Sequence, residues 1–205
     1  MNSEKVYLSV DCDFWNVKTF SYTSFFDKLI SLNIPIKIVD SHEYLLPFIN
    51  KNVWDKIINI DFHSDITDIK NLIYSCYMGL PNVMEGRELK PECGSWVNYV
   101  NKKTRSTGEF LWIYSIESCY SSCYTDYNRN KVISRGIGRC DAVENPFVKP
   151  AVAEWENVSR KCLKKLPSER FFKSISEVGI ALSLEYTDED LLKEQFKYFQ
   201  SRKLL

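Results

Sequence analysis

Residues 56–65 read KIINIDFHSD. A short apolar, β-branched run, Ile57, Ile58 and Ile60, stops abruptly at Asp61, His63 and Asp65. Such a run, bounded by polar residues, is the mark of a buried strand. Three groups able to bind a metal stand within the five residues after it. In an open parallel sheet, ligands bind beyond the carboxyl ends of the strands. If KIINI is a strand of such a sheet, DFHSD lies at a binding edge. The chain has only two histidines, and the other, His42, also lies just past an apolar run.

Working outward, four further segments have strand character: KVYLSV (5–10), IPIKIV (34–39), EFLWIYSI (109–116) and SEVGIALSL (176–184). Segments with helical spacing alternate with them: 23–32, 42–51, 94–103, 151–165 and 187–200. Pro47 makes the helix over 42–51 short, kinked or late in starting. Thr187, followed by three acids, is the expected cap of the last helix. Strands alternating with helices predict an α/β fold, a mostly parallel sheet with helices on both faces. The chain, 1–205, reads as a single domain with a loop-rich segment at about 118–150.

Each strand delivers an acid or a histidine to the same edge. Asp11 and Asp13 follow the first, Asp40 and His42 the second, and Asp61, His63 and Asp65 the third. Glu117 follows the fourth and Glu185 the last. Carboxylates can bridge two cations while each imidazole gives one neutral nitrogen, so the donor set suits Mn(II) or Fe(II) over a thiolate-preferring metal. Two cations so held make a nucleophilic hydroxide available at neutral pH. Side chains alternate along a strand, so Cys12 is expected to point away from its neighbours Asp11 and Asp13.

Composition narrows the function further. Lys+Arg and Asp+Glu are both 27, so bulk charge points to neither nucleic acid nor a membrane surface. No apolar run approaches the roughly 20 residues that span a bilayer. MNSEKVYLSV lacks the pattern of a signal peptide. Seven cysteines, an odd number, are expected to be reduced thiols in a cytoplasm. Homo-oligomerisation is left open.

These residues resemble the arginase/deacetylase superfamily, in which a strand-end Asp-x-His-x-Asp, an Asp-x-Asp and a separate histidine hold two manganese ions. The closer resemblance is to the peptide arginases, a permuted branch. It is carried by VDCDFW (10–15), DSHEYLLPF (40–48), IDFHSD (60–65) and CGSW (93–96), whose order and spacing match over roughly the first 100 residues.

The resemblance implies an arginase/deacetylase-like three-layer architecture. It implies that Asp11 and Asp61 bridge two Mn(II), or Fe(II) or another divalent metal. His42 and Asp65 would complete one shell, and His63 and Asp13 the other. Glu185 would face a guanidinium, with Glu117 as second candidate, and Gly94 and Ser95 would line the pocket. With no third histidine in the chain, proton delivery would fall to water, Asp65 or Glu117. The implied reaction converts arginine in a precursor peptide to ornithine and urea, during maturation of a ribosomally made natural product. Two other readings stand beside it: another metal-dependent C–N hydrolase, agmatinase-like or amine deacetylase-like, and a non-catalytic binding module of the same fold.

Overall fold

Every strand pairing in the sheet is parallel. The computed structural model describes residues 4–17, 19–63, 65, 96–101, 105–115 and 157–205. Its strands are β1 (Val6–Asp11), β2 (Ile36–Val39), β3 (Trp54–Ile60), β4 (Arg105–Tyr114), β5 (Asn157–Cys162) and β6 (Ile175–Ala181). They form one six-stranded sheet in the order β2-β6-β1-β3-β4-β5. From β1 the chain passes to β2 on one side, and from β3 it passes to β4 on the other. The neighbours β1 and β3 therefore flank the point where strand order reverses, where α/β sheets open a crevice for ligands.

Alternation along β1 and β3 sends their side chains to two different environments. Val6, Leu8 and Val10, with Ile58 and Ile60, join one apolar core. It is closed by Phe25, Phe26 and Leu29 of α1 (Tyr22–Ser31) and Phe199 near the C-terminus. Tyr7 and Ile57 face the opposite core with Leu45, Ile49, Trp54 and Trp96. That face is covered by a 3-10 turn, His42–Leu45, running into α2 (Leu46–Ile49). Pro47 sits in the first turn of α2, where its missing N–H costs nothing. Cys12, expected to point away from its neighbouring aspartates, opens a 3-10 turn after β1 and is buried in the first core.

Two expected helices and one cap differ from the sequence reading. The helix expected over 151–165 is, in its described part, the strand β5, paired with β4. Ser159 and Lys161 of this edge strand are exposed, so it carries no apolar alternation to reveal it. Of the helix expected over 94–103, the described part is a 3-10 turn, Trp96–Tyr99. After α3 (Glu169–Lys173) and β6, the C-terminal α4 (Glu189–Ser201) is capped by Asp188, whose side chain accepts from the amides of Asp190 and Leu191. Thr187 instead donates its hydroxyl to the Leu182 carbonyl, 2.7 Å away. No helix among the described residues is long and apolar enough to cross a membrane. The segment 118–150 lies outside the described residues.

The turn carrying His42 lies close over β6. A Cβ built on Gly179 would overlap the Tyr7 hydroxyl and approach Leu45 Cδ2 to 2.7 Å. Both neighbours are fully buried and cannot swing aside. Gly179→Ala is therefore expected to destabilise the fold by about 1–3 kcal/mol, the usual cost of overpacking. Chemical denaturation measures this, and an unchanged or raised midpoint would contradict the close approach.

Candidate metal centre

The centre grows from two short turns of the same kind. Asp11 ends β1, and its Oδ1 accepts from the Asp13 amide at 2.9 Å. Asp61 follows β3, and its Oδ1 accepts from the His63 amide at 2.7 Å. An aspartate that accepts from the N–H two residues on bends the chain locally. The Asp-x-Asp and Asp-x-His spacings thus have a backbone cause, and each turn brings its second side chain to the same edge. The turns also meet: the Phe62 amide donates to Asp13 Oδ1 at 3.4 Å, and His63 Nδ1 lies 3.2 Å from Asp13 Oδ2. Asp65 has a left-handed backbone, φ 56°, which turns the chain again.

His42 enters from the turn after β2 and is fully buried. Its Nε2 lies 3.0 Å from Ser9 Oγ, which leaves Nδ1 to face the acids. Nδ1 stands 2.8 Å from Asp65 Oδ2, 3.4 Å from Asp11 Oδ2 and 3.5 Å from Asp61 Oδ2. Despite these short distances, no aligned hydrogen bond satisfies Nδ1. Asp11, His42 and Asp61 form one group with donor atoms all within 4.8 Å of one another, and Asp13, Asp61 and His63 form a second. Asp61 belongs to both.

Other polar residues orient these. Ser183 Oγ donates to Asp11 Oδ2 at 2.6 Å, and Asn59 Nδ2 donates to Asp61 Oδ2 at 3.1 Å. Trp96 Nε1 donates to Asp65 Oδ2 at 2.6 Å, and its ring lies 5.2 Å from that of His42. The sequence reading passed over these residues. Ser9 and Asn59 did carry a signal: each is a polar residue two positions before a strand-end aspartate, on the same face of an otherwise apolar strand. Ser183 carried none, because its partner is distant in sequence, and Trp96 stood in the CGSW segment without a role of its own.

The electrostatics are those of crowded, buried acids. Burial, then the neighbouring Asp13, pushes the Asp11 carboxyl up to about 8. Asp61 is raised by burial and by the charges of Asp65, Asp11 and Asp13. Burial works against charge on His42, but Asp11 and Asp65 outweigh it and raise the imidazole. Asp65 runs the other way: burial would raise it, yet contact with His42 holds it below the usual carboxylate range. A divalent cation fits such a site, since it would neutralise crowded carboxylates and take the unsatisfied His42 Nδ1 as a donor. Asp11, Asp13, His42, Asp61 and His63 form a group that could hold a metal ion. Asp65 touches it through His42.

The remaining expected residues are placed less centrally. Glu185 is exposed in the turn after β6. It lines an open cleft of about 350 Å³ with Asp40, Glu43, Tyr44, Ser183 and Tyr186. Tyr186 packs against His63 with ring centroids 6.1 Å apart, which sets the cleft beside the cluster. Gly94, Ser95 and Glu117 lie outside the described residues. No family model, no curated protein and no solved structure matches this chain.

Asp11 and Asp61 hold their protons to higher pH in the folded chain than in the unfolded one. Their contribution to stability is therefore present below the ordinary carboxylate range, near pH 4, and is lost as pH rises above it, for Asp11 towards about 8. A bound cation replaces those protons. The rise in melting temperature on adding Mn(II) to chelator-treated protein is expected to be larger at about pH 8 than at about pH 5.5. Equal or reversed shifts in thermal melts would contradict this charge balance.

Proposed function

We propose that the protein is a metal-dependent hydrolase that converts arginine side chains of a precursor peptide to ornithine, with release of urea. The observation that carries this reading is Asp61, shared between two groups of acid and imidazole donors at the reversal point of the sheet. Asp11, His42 and Asp61, with Asp65 alongside, would hold one cation; Asp13, Asp61 and His63 would hold the other. The oxygen-rich donors favour Mn(II), with Fe(II) next. Such a cation pair, when bound, would supply Lewis acidity and a water-derived nucleophile at neutral pH. The arginase/deacetylase-like architecture belongs to this same proposal. The all-parallel sheet and the motif order support it.

The cleft suits a cationic substrate. Asp40, Glu43 and Glu185 line it, and no lysine or arginine does so among the described residues. Glu185 would take a guanidinium by charge-assisted hydrogen bonds and so orient its carbon towards the cluster. Water adds at that carbon, the bond to Nε breaks, and the nitrogen stays on the side chain as the protonated amine of ornithine. Asp65, held below the usual carboxylate range, would stay ionised and act as an acceptor.

Tyr44, Leu184 and Tyr186 are large, exposed and gathered around the cleft. Exposed apolar residues grouped beside a polar site mark a binding surface. They support a peptide rather than a free amino acid, because contacts remote from the reacting group would position it.

The test is incubation of the full chain with Mn(II) and peptides containing an internal arginine. The expected result is urea release, with loss of one carbodiimide unit from the peptide by mass spectrometry. Asp61→Asn is expected to reduce kcat/KM and Mn(II) affinity by more than the 10- to ~100-fold typical of losing an outer partner. Free arginine equalling every peptide in kcat/KM would overturn the substrate class. Release of an organic acid instead of urea would favour an amine deacetylase-like reaction. Metal-replete protein inert towards all of these would sink the enzyme reading.

A further inference from the structure

Four non-glycine residues among those described have a positive φ: Asn33, Asp65, Ser183 and Lys203. Asn33 and Lys203 stand in the turns just past α1 and α4, where a left-handed residue commonly ends a helix. Asp65 and Ser183 end no helix, and both touch the candidate metal-binding group, Asp65 through His42 and Ser183 through Asp11. Ser183, at φ 49°, is 3% exposed and follows β6. A serine held in this region is a standing cost, which glycine would remove.

The surroundings hold Ser183 in that conformation. Its amide donates to the Asp40 carbonyl at 2.9 Å, which extends the β2–β6 pairing past both strands. Its own carbonyl accepts from the amides of Tyr186 and Thr187, at 2.9 and 2.8 Å. Asn16, at the end of the turn after β1, grips the other side of the loop: its Nδ2 donates to the Tyr186 carbonyl at 2.7 Å, and its Oδ1 accepts from the Asp188 amide at 2.8 Å. What this arrangement delivers is one contact: the Ser183 hydroxyl against Asp11 Oδ2 at 2.6 Å, from a residue 172 positions away.

Asp11 Oδ1 is already taken by the Asp13 amide. The hydroxyl of Ser183 therefore sets how the second oxygen is presented to His42 and Asp61. We propose that Ser183 is a positioning residue for the metal centre, its strained backbone kept so that its hydroxyl fixes the Asp11 carboxylate in the orientation that binds a cation. The same residue lines the acidic cleft, so the wall that meets a substrate also holds a ligand of the metal. The inference rests on the metal reading above and adds a residue to it.

Ser183→Gly and Ser183→Ala separate positioning from plain structure. Both lose the hydroxyl, but only glycine loses the strain. Mn(II) affinity of the full chain, titrated calorimetrically at neutral pH, is expected to fall about 10- to 100-fold in both variants, as for loss of an outer partner of a metal ligand. In chelator, the glycine variant is expected to melt no lower than the alanine variant, because its backbone is relaxed. Ser183→Gly binding Mn(II) within about twofold of wild type, against that expected loss, would overturn the positioning role while leaving the metal site standing. A glycine variant that melts below the alanine variant would overturn the strain argument. Wild-type protein that binds no Mn(II) would overturn the metal reading, and this inference with it.

Discussion

Four carboxylates, Asp11, Asp13, Asp61 and Asp65, are buried together at one edge of the sheet, and this crowding shapes the rest of the structure. Among the described residues, the cationic groups within ion-pair distance of them are the imidazoles of His42 and His63. Burying charge without full compensation is costly. The surrounding polar groups each reduce that cost: backbone amides at Asp11 and Asp61, the Ser183 hydroxyl, the Asn59 amide and the Trp96 indole. What they leave is a carboxyl-rich pocket in which His42 Nδ1 has no aligned hydrogen bond, a donor set that could hold a cation.

The sheet brings these groups together through its connections. β1 and β3 are neighbours, but the chain between them visits β2 on the far side of β6. The passage from β1 to β2 runs through α1, whose apolar side packs on one face. The passage from β2 to β3 runs through the His42 turn and α2 on the other. β6 presents Gly179, with no side chain, where the side chains of Tyr7 and of Leu45, in the His42 turn, pack against the sheet.

Much of this was readable in advance, for local reasons. The strand runs ending in Asp11 and Asp61 were visible because both strands are buried and apolar on one face. Cys12 is buried in the core, though on a 3-10 turn rather than on the strand from which its direction was read. The α4 cap was displaced by one residue, since Thr187 is drawn to the Leu182 carbonyl and Asp188 takes the helix amides. β5 was hidden because an edge strand with exposed Ser159 and Lys161 reads as a polar helix face. It is a strand through its pairing with β4, an influence no local window contains.

By itself, the sequence determined where the strands before Asp11, Asp40 and Asp61 end to within a residue, which residue types stand there, and the spacing that lets Asp11 and Asp61 bend their own turns. Each of these depends on bonds that reach two residues or on side-chain alternation. The tertiary structure alone decided that His42 meets Ser9 across 33 positions, that Ser183 meets Asp11 across 172, and that Asp61 serves two donor groups at once. Those contacts follow from strand order. β6, last in sequence, inserts between β1 and β2, and only that insertion brings the Ser183 turn beside the first aspartate of the chain.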